Sequence, residues 1–575
     1  MAVILLILAS SASAQTDPGL RVLADNYWDA VMERYPTFAT ETGDYRFNDR
    51  LPDLSEEARL QWRQALALFL KQVRALPVVD LSPNDRLTRD LLEHVIQDSL
   101  LENASLHKHY LPLEPLDGPH LKFPLLLVSQ PFRNAADYEN YAARLRGFPK
   151  QVDDLIANLR KGISLGIVAP RVTTQKVVPQ IRLHIVDDPA KSEFHKPLRT
   201  ADTLAEADRA KVTEAIDDAI RTAVAPSYQK LFDFVEKEYL PACRETVGIG
   251  AAPGGDKIYE ELASLNATFP VKADEVHKIG LSEVERIRGE MAKIQKEVAF
   301  AGTLDEFLEH MRTDKRYRFT SDNELVAAAD AILQRTKPLM TKLFTRLPKA
   351  DCVMKEIEAF RAPASPVAYY NPTPEDGSRP GYYYINTYAP QERLRFTLEA
   401  LTYHEAIPGH HFQMALDQEN KDLPKFRRYA SFTAYVEGWA LYTEKLGYEI
   451  GGYQDAYSRF GQLTFEMWRA CRLVVDTGMH AKGWSRDQAI DFMAKNTSLA
   501  RVDIENEIDR YISWPGQALA YKLGELRILE MRREAEKKLG TKFDLRAFHD
   551  ALLSGGAMPI DLLEHRMDVW VESRR

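Results

Sequence analysis

The chain has 575 residues, 75 basic against 84 acidic side chains (formal net charge −9), 45% hydrophobic and 28% charged residues. That balance is globular and excludes a disordered or fibrous chain, while a pI near 5.9 argues against nucleic acid or an anionic membrane as partner. Cys243, Cys352 and Cys471 offer neither a disulfide framework nor zinc-ligand spacing, so any metal must be held by His and carboxylates.

Residues 1–14 (MAVILLILASSASA) join an apolar run to a small-residue A-x-A ending, the pattern of a cleaved secretory signal. The run is shorter than the ~20 apolar residues that span a bilayer. The expectation is export to the periplasm or the medium, a mature chain starting near Gln15, and no membrane attachment afterwards.

Helical periodicity follows over residues 55–76, 87–102, 138–165, 204–239, 273–298 and 323–347, with charges on the opposite faces. The Gly-rich stretch 247–256 (VGIGAAPGGD) follows no strand and lacks the Lys-Ser/Thr of a phosphate loop, so it reads as a connection. Residues 352–388 break the helical pattern. Val353 to Phe360, Val367 to Tyr370 and Tyr382 to Thr387 are rich in β-branched or aromatic residues, with turn chemistry between the last two, which predicts a small sheet or hairpin. The expected fold is mainly α with one deep cleft. A helical half over residues 15–245 and a metal-bearing half over 256–575 would form one structural unit.

The strongest chemical signal comes next, His404-Glu405-Ala406-Ile407-Pro408-Gly409-His410-His411. A zinc helix of the His-Glu-x-x-His type puts two imidazoles one turn apart on one face, with the Glu between them reaching a water. Here position four after His404 is Pro408 and the next histidine comes at six, about 600° around an ideal helix. The pattern works only if the helix is interrupted. Pro408 lacks the N–H that would bond the His404 carbonyl, and Gly409 permits unusual backbone angles. Looping out two residues at this step brings His410 into the second ligand's place. His411 keeps angular register but lies about a turn too far along the axis, which suits a supporting or substrate-facing role.

Residues 430–450 (ASFTAYVEGWALYTEKLGYEI) form an apolar helix in which Glu437 and Glu444 share a face. Glu437, followed by Gly438, could approach the His helix closely and complete a His/His/Glu set, leaving one position open. In the next helix, residues 456–480, Arg469, Arg472, Asp476 and His480 form a polar stripe. It reads either as a structural Arg–Asp network or as a substrate site, an Arg holding a carboxylate and His480 donating to an oxyanion.

HEAIPGHHFQ followed by YVEGWALYTE resembles a large bacterial family long labelled a domain of unknown function and grouped with the gluzincin metallopeptidases. The likeness runs from about Leu20 to Glu564 and includes PGGDKIYEELA and SRPGYYYINT. More distantly the arrangement is similar to the thimet oligopeptidase, carboxypeptidase Taq and angiotensin-converting enzyme type. The resemblance implies one Zn2+ per chain on His404, His410 and Glu437, with Glu405 as base and short peptides as substrates. Two residues extra between the histidines are this chain's departure. Similar peptidases place a His and a Tyr after the third ligand to stabilise the oxyanion, which makes Tyr521 the candidate, with Tyr511 behind it. They also place an edge strand before the His helix. Here that would be Tyr382 to Asn386, binding an extended peptide with Arg379 and Tyr384 bordering the groove. The alternatives are a zinc hydrolase of another amide or ester, and an exported non-catalytic metal protein.

Overall fold

The computed structural model describes residues 17–357, 362, 365–373, 377 and 379–575; the signal segment lies outside them. The architecture is mainly α-helical with one three-stranded sheet. The long helices form where the apolar stripe and the caps agree. Ser55 accepts from the Ala58 N–H at the start of Glu56–Ala75, and Asp455 and Ser458 make a reciprocal cap at the start of Ala456–Lys482.

Two regions read as single helices are broken where proline removes a donor. Residues 204–239 comprise Glu206–Ala219 and Ala225–Phe234 with wide turns at Ile220–Val224 and Val235–Tyr239. Pro226 and Pro241 follow those turns, and a missing N–H favours such a detour of the ladder. Residues 323–347 form Asp322–Thr336 and then tighten into a 3-10 stretch, Lys337–Lys342, at Pro338.

The apolar interior has two large clusters. One draws Leu20 to Ile96 together with residues from Val247 to Val571. The other is built from Leu113 to Cys243, packed around the long Ala135–Leu165 helix. The Gly-rich connection runs against the end of the Ala456–Lys482 helix, so closely that a Cβ on Gly248 would meet the Met479 carbonyl at 1.9 Å. A cleft of about 900 Å³ opens there, lined among others by Arg171, Glu245, Asp256, His480 and Arg486. None of the expected metal ligands lines it, so it is not the metal-bearing cleft anticipated from the sequence.

Strands β1 (Cys352–Glu356), β2 (Ala368–Asn371) and β3 (Gly381–Ile385) lie in the order β1-β3-β2. β3 pairs antiparallel with β2, Ala368 opposite Ile385, and parallel with β1, Cys352 opposite Gly381. The first strand was expected to reach Phe360; it is assigned to Glu356, and residues 358–361 lie outside the described ones. The expectation that Tyr382 to Asn386 forms an exposed edge is overturned. β3 is the central strand with neighbours on both sides, so its ladder groups are already spent.

Candidate metal centre

The His helix is interrupted as its Pro-Gly step requires. Leu398–Glu405 ends, Ile407–Pro408 is a cis peptide, and a new helix starts at His410 and runs to Glu419. Only glycine fits at 409, where a Cβ would lie 1.8 Å from the His404 carbonyl oxygen. The Thr433–Ile450 helix secures the break. Trp439 Nε1 donates to the Pro408 carbonyl at 3.0 Å, and Thr443 Oγ1 to the Tyr403 carbonyl at 2.9 Å. Carbonyls that a continuous helix would have used thus find partners on its neighbour.

This geometry brings His404, His410 and Glu437 together, with one ligand atom from each all within 4.8 Å of one another. Glu437 Oε2 lies 3.5 Å from His404 Nε2 and 3.4 Å from His410 Nε2. Both histidines are buried. Among the described residues, Glu437 Oε2 and His410 Nδ1 make no hydrogen bond. Burial pushes the His404 pKa down, but Glu437 and Glu444 outweigh it and carry it up to about 9. Burial likewise raises Glu437, and the two imidazoles overcome it and hold the carboxylate well below its usual range. A buried group of acceptors that draws protons this strongly has the electrostatics of a cation site. Two imidazole nitrogens and one carboxylate oxygen fit zinc, and leave a fourth position for chemistry.

Glu444 is the supporting residue whose role the sequence left unassigned. It is fully buried and accepts from His404 Nδ1 at 3.0 Å, which fixes the tautomer and aims Nε2 at the site. Its position seven residues after Glu437 was the available signal. Arg469 lies 3.4 Å behind Glu444, donates to the Phe465 carbonyl, and sits over the Phe465 and Trp468 rings. Arg469 therefore supports a ligand's partner rather than facing substrate. Gly438 serves a different contact from the one anticipated. It meets the Leu519–Leu539 helix, where a Cβ would come within 2.7 Å of Gly524 Cα. The same two helices are tied by Lys445, which reaches Glu525 at 3.0 Å, while buried Lys522 joins the Leu519–Leu539 helix to Glu466 at 2.8 Å and Glu283 at 3.0 Å.

The remaining sequence candidates disperse. His411 is buried against Tyr370, whose hydroxyl lies 2.9 Å from Nδ1, and burial pushes its pKa down to about 4. His480 accepts from the Ile249 N–H at Nδ1 and lies 2.9 Å from the Tyr511 carbonyl at Nε2. Both nitrogens are committed to backbone, so it has no proton for an oxyanion, and burial pushes its pKa down to about 4. Arg472 is buried between the Trp468 and Tyr521 rings and pairs with Glu507 at 3.0 Å, with Nη1 alone left without a partner among the described residues. The structural Arg–Asp network expected as the other reading is also revised, because Asp476 accepts from Tyr259 and from the Gly516 N–H instead.

Tyr511 gives its proton to Glu507 and accepts from Trp468 and Arg472. Tyr521 accepts from Arg510 at 2.8 Å, one turn before the Gly524 contact beside Glu437. Its hydroxyl is the freer of the two. Tyr384 points to the sheet face away from Tyr383, which reaches Thr402 on the His helix, and stacks on Tyr369. Arg379 bonds Asn371 and lies over Tyr382 on that outer face. Neither borders the metal site. Glu405 is half-buried beside the ligands, and its charge acts on both His404 and Tyr383.

Comparison with known proteins matches residues 36–567 to the family described as "Bacterial protein of unknown function (DUF885)". The chain belongs to that family. No curated protein matches it. Within solved structures it is similar to the "putative lipoprotein from Colwellia psychrerythraea", at 29% identity and a TM-score of 0.90 over 96% of this chain and 99% of that one. A "putative lipoprotein of unknown function from Shewanella oneidensis" matches at 20% identity and a TM-score of 0.73 over 95% and 99%, a likeness of fold alone.

Proposed function

We propose that this DUF885 protein is a zinc-dependent hydrolase of peptide bonds in short peptides. The observation that carries the reading is the convergence of His404, His410 and Glu437 within 4.8 Å, with Glu405 on the same helix as the first ligand. The likeness of the two motifs to gluzincin peptidases supports it and supplies the substrate class. A structural site has no use for a carboxylate beside the ligands, whereas a hydrolytic one needs a base.

Zinc bound there would supply Lewis acidity at the scissile carbonyl and acidify the attacking water. The chain's own groups do the rest. Glu405 takes the water's proton and passes it to the leaving amine as the C–N bond breaks. The Tyr521 hydroxyl donates to the oxyanion. Glu444, backed by Arg469, keeps the His404 ring in register. The proposal includes export. The N-terminal signal pattern and the lipoprotein description of the similar Colwellia psychrerythraea structure support it, and among the described residues no helix is long and apolar enough to cross a membrane.

Metal content of the purified protein beside His404→Ala, His410→Ala and His411→Ala tests the centre. The expected result is one zinc per chain, lost in the first two and kept in the third. Metal kept in all three would overturn the site.

A further inference from the structure

A second cavity lies against the His helix, lined by Leu398 and Leu401 of that helix, Ile385 of β3, Val367, and Phe465 and Trp468 of the Ala456–Lys482 helix. Resting on the hydrolase reading, we propose that this pocket receives a small branched aliphatic side chain of the substrate, beside the bond to be cut.

The placement follows from helix geometry. Leu398, Leu401 and Glu405 stand at i, i+3 and i+7, within about 60° of one another, so the pocket floor and the base share one face. Leu401 lies about 6 Å down the axis from Glu405, the reach of a side chain from a backbone held at the base. The sheet repeats the alignment. Tyr383 and Ile385 alternate onto the same face of β3; Tyr383 touches Thr402 on the His helix and Ile385 lines the pocket.

Size and chemistry choose the occupant. The cavity holds about 50 Å³, three to five times the roughly 10–15 Å³ that one water-sized group needs and a third of the roughly 150 Å³ around benzene. An isopropyl or isobutyl group fits and an indole does not. Most of the wall is apolar, and of its charged groups Arg393 and Asp503 already face each other at 3.5 Å. A charged side chain entering would lose water without gaining a free partner. The far wall is stiff, because Trp468 is clasped by Arg469 and Arg472 and donates to Tyr511 at 2.9 Å.

The test is calorimetric binding of N-acetyl-leucinamide and N-acetyl-glycinamide to zinc-loaded protein, which needs no turnover. The expected result is at least tenfold tighter binding of the leucine probe. Val367→Phe, which puts a larger side chain into the wall, should abolish that preference with metal content unchanged. Leu401→Ala, which enlarges the floor, should admit N-acetyl-phenylalaninamide. Equal binding of the leucine and glycine probes by the unaltered protein, or a ratio unmoved by both substitutions, would overturn the pocket. Its failure is distinct from failure of the hydrolase: discrimination without turnover supports the pocket alone, and peptide turnover without discrimination removes the pocket alone.

Discussion

Two buried polar clusters lie side by side in this molecule, and they differ in what their atoms still want. In the stripe of the Ala456–Lys482 helix each head group has a counter-group. Arg472 has Glu507, Asp476 has Tyr259 and the Gly516 N–H, and His480 has backbone at both nitrogens. In the cluster of the two short His helices, three acceptor atoms face one another, and Glu444 turns one histidine's proton outward. The first arrangement sets donors against acceptors, even though Arg472 Nη1 and Asp476 Oδ2 keep no partner among the described residues, and the second sets acceptors against acceptors, the balance that suits a cation. Buried polarity alone did not separate them. The balance of donors and acceptors did.

That contrast can be broken at its strongest point through Glu405. Glu405→Gln keeps the shape and the ligands, so zinc content should be unchanged while kcat on a short peptide falls by about 10²- to 10⁴-fold. Unchanged turnover would remove Glu405 from the chemistry.

The first cluster is probed through Asp476, whose pKa burial raises to about 7. The folded protein holds this proton more tightly than the unfolded chain, whose Asp titrates near 3.9. The stability it contributes is therefore full below about pH 4 and lost as pH rises to about 7. Asp476→Asn should flatten that part of the profile, on the order of 2–4 kcal/mol in the difference between variant and parent. Chemical denaturation at several pH values measures it, and parallel profiles would show that folding leaves the Asp476 pKa where the unfolded chain has it.

The smallest expected effect lies at the junction of the clusters. Glu444→Gln leaves the three ligands in place but removes the charge behind His404, so zinc affinity should fall about 10- to 100-fold with little change in fold. Competition with a chelator reads this directly, and an unaltered affinity would make Glu444 mere packing.

Much of this centre was legible in the sequence because it depends on local chain rules. Proline and glycine at 408 and 409 dictate a break, and the break decides which histidine turns inward. Glu437 was visible as an isolated acid on an apolar helix. What was hidden depended on distant partners. His480 looked like a donor until the Ile249 N–H and the Tyr511 carbonyl, neither a side chain, proved to occupy it. Strand β3 looked like an edge because hairpin logic supplies one neighbour, whereas its second is a parallel strand from residues 352–356. Arg472 and Tyr384 carry the residue types of a binding site, but their stacking partners are set by tertiary packing alone.

The Gly438–Gly524 contact has a mechanical meaning. Where side chains meet, a small displacement is absorbed by rotamers; where two backbones touch, nothing is left to yield. The Leu519–Leu539 helix therefore bears directly on the backbone one residue from Glu437, the candidate metal carboxylate. A shift of that helix would reach the Glu437 backbone before it reached any side chain of the site.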